Sequence, residues 1–128
     1  FVFFIVTNQS GIGRGYYTKE AFELLTDWML EQMLLRGIDI CQIEYCPHTP
    51  NDDCMCRKPR IGMLKNILKN YNIDLENSWM IGDKKIDIEF AVNCCIANTI
   101  LFDSKKHCSI KTLASYEIKR IEKITKII

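Results

Sequence analysis

The sequence predicts an α/β protein built on a doubly wound, Rossmann-like and mostly parallel sheet that carries a zinc-binding loop. Three observations predict it: short apolar runs alternate with helical patterns, polar loops follow those runs, and three cysteines and a histidine crowd into one loop. Strands alternating with helices are typical of βαβ units. The 128 residues, 48% of them hydrophobic, suffice for one core. We therefore expect a single domain over residues 1–128.

The first part of the chain predicts two strands separated by a long helix. Val2–Val6 is a β-branched and aromatic run, typical of a buried parallel strand, and the polar loop 7–15 follows it. Thr18 is expected to cap a helix that ends near Arg36. Ile40–Tyr45 predicts the second strand. The buried stripe of the helix is expected to hold Phe22, Leu25, Met29 and Gln32 or Met33, and Leu24 and Trp28 are expected to widen it.

The second part predicts further strands and helices in alternation. The expected order is a helix over Ile61–Tyr71, a strand over Ser78–Gly82, a helix over Ile86–Cys95, a strand over Thr99–Phe102, a polar loop over 103–107, a strand over Tyr116–Ile118, and a helix to the end. The polar groups that follow the strands are expected to meet at one edge, because ligands of doubly wound sheets lie beyond the carboxyl ends of the strands.

The loop between the second strand and the next helix predicts a metal site. Its cysteines and histidine are spaced C-x-H-x5-C-x-C and comprise Cys46, His48, Cys54 and Cys56. Three thiolates and one imidazole form a closed tetrahedral zinc set with no open position, which favours a structural metal. Such a metal can contribute roughly 10–16 kcal/mol to the folding of small zinc peptides. The alternative is a loop with free or disulfide-bonded cysteines.

Composition narrows the class of protein further. The net charge of +1 gives no general electrostatic reason to expect nucleic acid or an acidic membrane as a partner. The cysteines outside the zinc set are Cys41, Cys94, Cys95 and Cys108, and the first three lie in apolar surroundings that favour buried thiols and a reducing cytoplasm. No secretory signal is visible. We expect a cytoplasmic protein, monomeric, without nucleic-acid or membrane partners.

Three polar groups at predicted strand ends have the chemistry of a phosphate site. The hydroxyls, amides and backbone N–H groups of Thr7–Ser10 suit phosphate oxygens, and Arg57 and Lys58 supply a fork and a point charge. Asp83 follows an apolar strand, where a carboxylate suits Mg²⁺. Each group also has a plainer interpretation. Thr7–Ser10 can be an ordinary strand-to-helix turn, Arg57 and Lys58 a solvated basic pair, and Asp83 a helix N-cap. Lys84 can reach a second phosphate or face water, and Asp87 can support the site or simply favour its helix.

These residues resemble the haloacid dehalogenase (HAD) superfamily. VTNQSGI at 6–12 is similar to its second motif, Lys58 to its third-motif lysine, and IGDKKID at 81–87 to its fourth motif. The CPH…CMCRKP loop resembles the histidinol-phosphatase-like branch of that superfamily. Within the branch, RGYYT at 14–18 is similar to enzymes that act on a heptose bisphosphate. The resemblance covers about residues 1–102.

The resemblance implies a phosphatase and a role for each matching residue. It implies a Mg²⁺-dependent hydrolase that removes the C7 phosphate of a heptose 1,7-bisphosphate through an aspartyl-phosphate, in the supply of lipopolysaccharide core heptose. Thr7 and Lys58 would stabilise the phosphoryl group, and Asp83 would hold Mg²⁺. The substrate-contacting residues would be Thr7, Asn8, Gln9, Ser10, Arg57, Lys58 and Lys84, and the structural zinc ligands would be Cys46, His48, Cys54 and Cys56.

One motif of the superfamily is absent from the sequence. Its first motif, D-x-D-G-T/V, carries the aspartate nucleophile and the general acid/base, and none of the 128 residues matches it. We expect a domain that lacks its first strand and first motif and is inactive by that mechanism. Two alternatives stay open: a histidinol-phosphatase, whose zinc loop can have the same spacing, and a non-catalytic, zinc-stabilised module that binds an anion.

Overall fold

The structure, a computed structural model, describes residues 1–102 and 113–128. Its strands and helices follow in the predicted order. They are β1 (Phe3–Asn8), α1 (Ser10–Gly13), α2 (Lys19–Leu34), β2 (Ile40–Cys46), α3 (Gly62–Ile67), β3 (Trp79–Gly82), α4 (Lys85–Asn93), β4 (Asn98–Phe102), β5 (Tyr116–Ile118) and a 3-10 helix (Ile121–Lys126).

The strands pair in parallel, as predicted, but the described strands form two sheets. One sheet joins β1 to β2, and the other has the order β3-β4-β5. The chain divides into two compact units accordingly. Unit 1 contains Phe1–Arg57 and Gly62–Asn70, and unit 2 contains Lys58–Ile61 and Tyr71–Ile128.

Unit 1 is organised around β2. The rings of Phe22 on α2 and Tyr45 on β2 lie 4.7 Å apart, centroid to centroid. On α3, the side chains of Met63, Leu64 and Ile67 are buried. Thr18 caps α2 as predicted, because its hydroxyl oxygen accepts the N–H of Ala21 at 3.1 Å. In unit 1, the elements therefore follow in the predicted order along the chain, and α2 begins at the predicted cap.

Several details of unit 1 differ from the predictions. The strand β1 is half-buried at most, and Phe3 is exposed. The expected stripe of α2 is only partly covered, since Leu24, Leu25 and Trp28 are 58–74% exposed and no described element packs over them. The helix α3 ends at Ile67 rather than near Tyr71, because the chain tightens there into i→i+3 turns, such as Asn70 N–H to the Ile67 carbonyl.

The loop expected over residues 7–15 is also more structured than predicted. Thr7 and Asn8 are the last residues of β1, and Ser10–Gly13 forms one helical turn. The backbone N–H of Arg14 closes that turn on the carbonyl of Ser10 at 3.0 Å. Thr7, Asn8 and Ser10 therefore lie in regular elements, and Gln9 connects the strand to the helical turn.

Unit 2 has β4 at the centre of its sheet. Its buried apolar side chains belong to Met80, Ile88, Phe90, Ala91, Cys94, Ile100, Leu101 and Ile118. The short strand predicted over Tyr116–Ile118 is present and pairs with β4. The chain then ends in a 3-10 helix, where an α-helix was expected.

Three predictions about the second half of the chain remain, and they concern Cys95, the loop 103–107 and Cys108. Cys95 is exposed and adopts a φ of +58° just after α4, so its expected burial was wrong. The loop over 103–107 and Cys108 lie outside the described residues. Within the described ranges, none of the helices has the length and apolar character needed to cross a membrane.

Candidate functional site

The four predicted zinc ligands meet in unit 1. The Sγ atoms of Cys46, Cys54 and Cys56 and the Nδ1 atom of His48 all lie within 4.8 Å of one another. Four contacts among them measure 3.1–3.6 Å. A tetrahedral zinc ion would separate such ligand atoms by roughly 3.5–3.8 Å. Those four contacts are close to the spacing of a zinc shell, and the thiols are not disulfide-bonded.

The three thiols differ in how readily they ionise without a metal. Burial, followed by the hydrogen bond with Cys56, raises the pKa of Cys46 to about 12. Burial also raises the pKa of Cys56. For Cys54 burial acts upward too, but hydrogen bonds from the Arg57 N–H and from the neighbouring thiols outweigh it and lower the pKa. A bound zinc ion would hold all three as thiolates.

Backbone hydrogen bonds tie the zinc loop to the end of β1. The N–H of Gln9 donates to the carbonyl of Cys46 at 2.7 Å, and the N–H of Gly13 donates to the carbonyl of Pro47 at 2.9 Å. A Cβ at position 13 would lie 2.7 Å from that Pro47 oxygen, so the close approach requires glycine. The metal loop and the turn that follows β1 therefore form one hydrogen-bonded corner.

Arg57 is anchored to the same loop. Its guanidinium donates to the backbone carbonyl of His48 at 3.2 Å, and the residue is half-buried. Since His48 is one of the four predicted zinc ligands, the position of the guanidinium depends on the conformation of this loop. A metal bound there would also influence a residue that is expected to bind substrate.

Thr7 and Gln9 are joined by their side chains. The Nε2 of Gln9 donates to the Oγ1 of Thr7 at 3.1 Å, and the phenol of Tyr17 donates to the Oε1 of Gln9 at 2.7 Å. Thr7, Asn8, Gln9 and Ser10 are all half-buried. Tyr17 was not among the predicted site residues, because its contact with Gln9 depends on the helical turn of α1.

Lys58 is buried in unit 2 and forms an ion pair that its sequence neighbourhood does not reveal. Its Nζ lies 2.6 Å from Oδ1 of Asp87, and the two side chains are 9% and 6% exposed. The other carboxylate oxygen, Oδ2, accepts the backbone N–H of Lys84 at 3.1 Å. A solvated basic pair is therefore the wrong interpretation for Lys58. Asp87 fixes both the lysine and the first turn of α4.

Gly82 and Asp83 complete the corner between β3 and α4. A Cβ at position 82 would lie 2.6 Å from Oδ2 of Asp87, so the strand can end against Asp87 only with glycine there. Asp83 and Lys84 follow and are exposed. The N-cap of α4 is Lys84 rather than Asp83, which removes the N-cap interpretation of Asp83. The exposed carboxylate is an oxygen donor of the kind that Mg²⁺ takes.

The predicted site residues thus divide between the two units. Unit 1 holds Arg57, the zinc ligands and the residues Thr7–Ser10, whereas unit 2 holds Lys58, Asp83 and Lys84. The zinc ligands are gathered as predicted, and Asp87 lies against Lys58. The catalytic and substrate-binding roles of these residues stay predictions.

Comparison with known proteins identifies the family. Residues 55–114 match the HAD-hydrolase-like family model. The chain is 40% identical over 132 residues to the D-glycero-beta-D-manno-heptose-1,7-bisphosphate 7-phosphatase of Pasteurella multocida, covering 97% of this chain and 72% of that protein. The chain therefore belongs to the HAD-like hydrolase family. Within it, its relatives include many heptose bisphosphate phosphatases.

Other similarities point to the same branch. The chain is 49% identical over 88 residues to a probable D-glycero-D-manno-heptose-1,7-bisphosphate 7-phosphatase of Thermoplasma volcanium, covering 68% of this chain. It is 39% identical over 129 residues to the bifunctional histidine biosynthesis protein HisB of Blochmanniella floridana, covering 98% of this chain and 36% of that protein. A crystal structure of the B. bronchiseptica D,D-heptose 1,7-bisphosphate phosphatase, complexed with magnesium and phosphate, superposes with a TM-score of 0.71 and 32% identity over 79% of this chain.

The matches cover only part of these relatives. The chain spans 60% of the Thermoplasma protein and 56% of the crystallised B. bronchiseptica chain.

Proposed function

We propose that residues 1–128 belong to a Mg²⁺-dependent phosphatase that removes the C7 phosphate of D-glycero-D-manno-heptose 1,7-bisphosphate. The reaction would proceed through an aspartyl-phosphate and would supply heptose for the lipopolysaccharide core, in the cytoplasm. The observation that carries the proposal is the buried Lys58, held by Asp87 at the corner that presents Asp83. Membership of a family rich in heptose bisphosphate phosphatases supports the substrate.

Each polar group would have a defined part in handling the phosphate. Lys58 would supply a positive charge that is already desolvated, and such charges stabilise a transferring phosphoryl group strongly. Asp87 would keep the ammonium of Lys58 in one position by accepting one of its hydrogen bonds. The hydroxyl of Thr7 and the polar groups of Asn8, Gln9 and Ser10 would donate to phosphate oxygens.

Arg57 and Lys84 would recognise the rest of the substrate. The guanidinium of Arg57 can form two parallel hydrogen bonds with the phosphate that is not removed. Its bond to the His48 carbonyl would limit the directions in which it can point. Lys84 is exposed next to Asp83 and would contact the substrate with a mobile point charge.

Asp83 would be a magnesium ligand. Its exposed carboxylate at the end of β3 fits a hard cation that also binds phosphate oxygens and water. When bound, Mg²⁺ would neutralise part of the charge that builds up on the phosphoryl group. The crystallised B. bronchiseptica relative was complexed with magnesium and phosphate, which supports this choice of metal.

The nucleophile is not among the 128 residues. The family mechanism uses the first aspartate of a D-x-D motif, and the sequence contains no such motif. We therefore propose that residues 1–128 alone bind phosphate but do not turn over substrate. The natural protein would act as a monomer on a small phosphorylated sugar.

Two other functions make different predictions. Similarity to HisB favours histidinol phosphate as a second candidate substrate, and the zinc loop does not separate the two substrates. A non-catalytic, zinc-stabilised module would use Arg57 and Lys58 to hold an anion without turnover. It would bind phosphate and release none from either compound.

The experiment is a phosphate-release assay with Mg²⁺ on heptose 1,7-bisphosphate and on histidinol phosphate. The product of the whole open reading frame would be assayed beside residues 1–128 alone. If the product of the whole open reading frame prefers the heptose compound, the proposal is supported. If it prefers histidinol phosphate, the second candidate is selected. If neither compound is hydrolysed by either protein, the phosphatase proposal fails in favour of the binding module. Activity in residues 1–128 alone would refute the assignment of the nucleophile.

Variants test the roles of Lys58 and Asp83. In the active protein, Lys58→Ala and Asp83→Ala should each lower kcat by about 100-fold or more, as loss of a transition-state donor does. Lys85→Ala is the matched control, since Lys85 pairs with Glu89 on the exposed side of α4. An unchanged kcat in either test variant would refute the role assigned to that residue.

A further inference from the structure

We propose that Tyr17 is a positioning residue that orients the Thr7 hydroxyl towards phosphate by fixing the side-chain amide of Gln9. The inference rests on the proposed function, because Thr7 is assigned there to the phosphoryl group. It starts from a row of three side chains in unit 1, in which Tyr17 contacts Gln9 and Gln9 contacts Thr7.

The atoms in contact define the direction of the hydrogen bonds, because an amide oxygen only accepts and an amide nitrogen only donates. The contact between the Tyr17 phenol and Oε1 of Gln9 is 2.7 Å, the usual length of an O–H···O bond. The contact between Nε2 of Gln9 and Oγ1 of Thr7 is 3.1 Å, within the range of an N–H···O bond. The phenol therefore donates to the amide oxygen, and the amide nitrogen donates to Thr7.

This direction matters for Thr7, because a hydroxyl has one hydrogen to donate. When Gln9 donates to Oγ1, the Thr7 hydrogen stays available for a phosphate oxygen. If the amide rotated by half a turn, its oxygen would face Thr7 and would accept that hydrogen instead. Tyr17 opposes the rotation by occupying Oε1. The effect of Tyr17 on phosphate therefore passes through Gln9 and Thr7.

Glycine at position 11 allows the ring of Tyr17 to take this place. A Cβ there would lie 2.6 Å from Cζ and 2.7 Å from the phenol oxygen of Tyr17. The backbone of Gly11 is not left-handed, so alanine is tolerated by the main chain and only the tyrosine must move. Gly11→Ala should therefore break the Tyr17–Gln9 bond without removing the phenol.

The test is a double-mutant cycle on the affinity for inorganic phosphate with Mg²⁺, in the product of the whole open reading frame. Tyr17→Phe and Gly11→Ala should each weaken phosphate binding by about 3- to 10-fold, the range expected for one misdirected hydrogen bond. Tyr16→Phe, the same change at the adjacent and 74% exposed tyrosine, should have no effect. In a Thr7→Val background, Tyr17→Phe should change the affinity by less than about 1.5-fold.

The outcomes separate this inference from the proposed function. An effect of Tyr17→Phe that persists in the Thr7→Val background would indicate a merely structural role and would overturn the inference, as would no effect of Tyr17→Phe in the wild type. The proposed function is judged separately, by release of phosphate from heptose 1,7-bisphosphate. Coupling without release of phosphate from that compound would support the inference and reject the heptose bisphosphate phosphatase.

A second measurement needs no ligand. Nuclear Overhauser contacts of the Gln9 Nε2 hydrogens report which neighbour the amide nitrogen faces. In the wild type they should reach the Thr7 methyl group, and Tyr17→Phe should weaken them. Contacts that lead instead to the Tyr17 ring in the wild type would overturn the inference even if phosphate binding were too weak to measure.

Discussion

The ammonium of Lys58 and the carboxylate of Asp87 lie 2.6 Å apart, almost wholly out of contact with water. An ion pair in such a place gains little over an apolar pair, but its loss is costly because one charge stays buried and unpaired. The pair therefore fixes where the lysine can be. It also joins the segment after the zinc loop to the first turn of α4 within unit 2.

The first prediction concerns this pair. Asp87→Ala should lower the free energy of unfolding by about 3–5 kcal/mol, because it removes the counter-ion of the buried Lys58 ammonium. Glu89→Ala is the control on the same helix, since its pair with Lys85 is 3.4 Å long and half-exposed. The control should cost less than about 1 kcal/mol. Urea denaturation of both variants measures the difference, and equal losses would contradict a special role for the buried pair.

The second prediction concerns zinc content. The wild type should carry one zinc ion, and Cys54→Ser or Cys56→Ser should lower its zinc affinity strongly, because each removes one of four ligands. Cys95→Ser is the control, since that thiol is exposed and belongs to no cluster among the described residues. Atomic absorption and thermal unfolding with and without a chelator provide the measurement. An unchanged Tm after removal of zinc would argue against a structural metal.

The third prediction concerns the pH dependence of zinc binding. Burial raises the pKa of Cys46 to about 12 and also raises that of Cys56, so both thiols are protonated at neutral pH before zinc binds. Zinc must then displace at least two protons, and its apparent affinity should rise at least roughly 100-fold per pH unit near neutrality. Competition with a chromophoric chelator at several pH values measures the slope. A flat profile would contradict protonated thiols.

The zinc-free chain should respond to pH in the opposite direction. A thiol whose pKa is raised by folding stabilises the fold below its unfolded value and loses that contribution as the pH rises. For Cys46 the loss should extend from about pH 9 towards its folded pKa of about 12. Unfolding of the zinc-free protein between pH 9 and 11 should therefore become easier with rising pH, and greater stability at pH 11 than at pH 9 would reverse the assignment.

The fourth prediction concerns the adjacent thiols at the end of α4. Cys94 is buried, and burial followed by the charge of Cys95 raises its pKa to about 11. Cys95 is exposed. Iodoacetamide at neutral pH should modify Cys95 in the native protein and leave Cys94 protected until urea is added. Peptide mass spectrometry separates the two sites only if cleavage or fragmentation falls between them, and equal labelling would contradict the difference in burial.

Much of the fold could be predicted because its signals are local. The cap of Thr18, the order of the strands and the four zinc ligands each depend on residues close together in the sequence. The partner of Lys58 could not be predicted in this way, because Asp87 lies 29 residues further along the chain. A spacing pattern states which side chains share a face, but it does not state which carboxylate will reach a given lysine.

Burial was the less predictable property. The apolar period of α2 predicted that Leu24 and Trp28 would be covered, yet both are exposed in the described structure. Periodicity assigns a face to a helix, and coverage depends on whether another element packs there. Tyr17 was missed for a related reason: its contact with Gln9 forms only because Gly11 lets the ring lie against α1.

The hydrogen bonds from Gln9 to Cys46 and from Gly13 to Pro47 have a consequence for how the protein would respond to the supply of zinc. They connect the predicted zinc loop to the turn that is expected to receive phosphate. A protein built in this way would depend on magnesium for its chemistry and on zinc for the shape of its phosphate turn. Zinc starvation of a cell would then lower its activity even where magnesium and substrate are abundant.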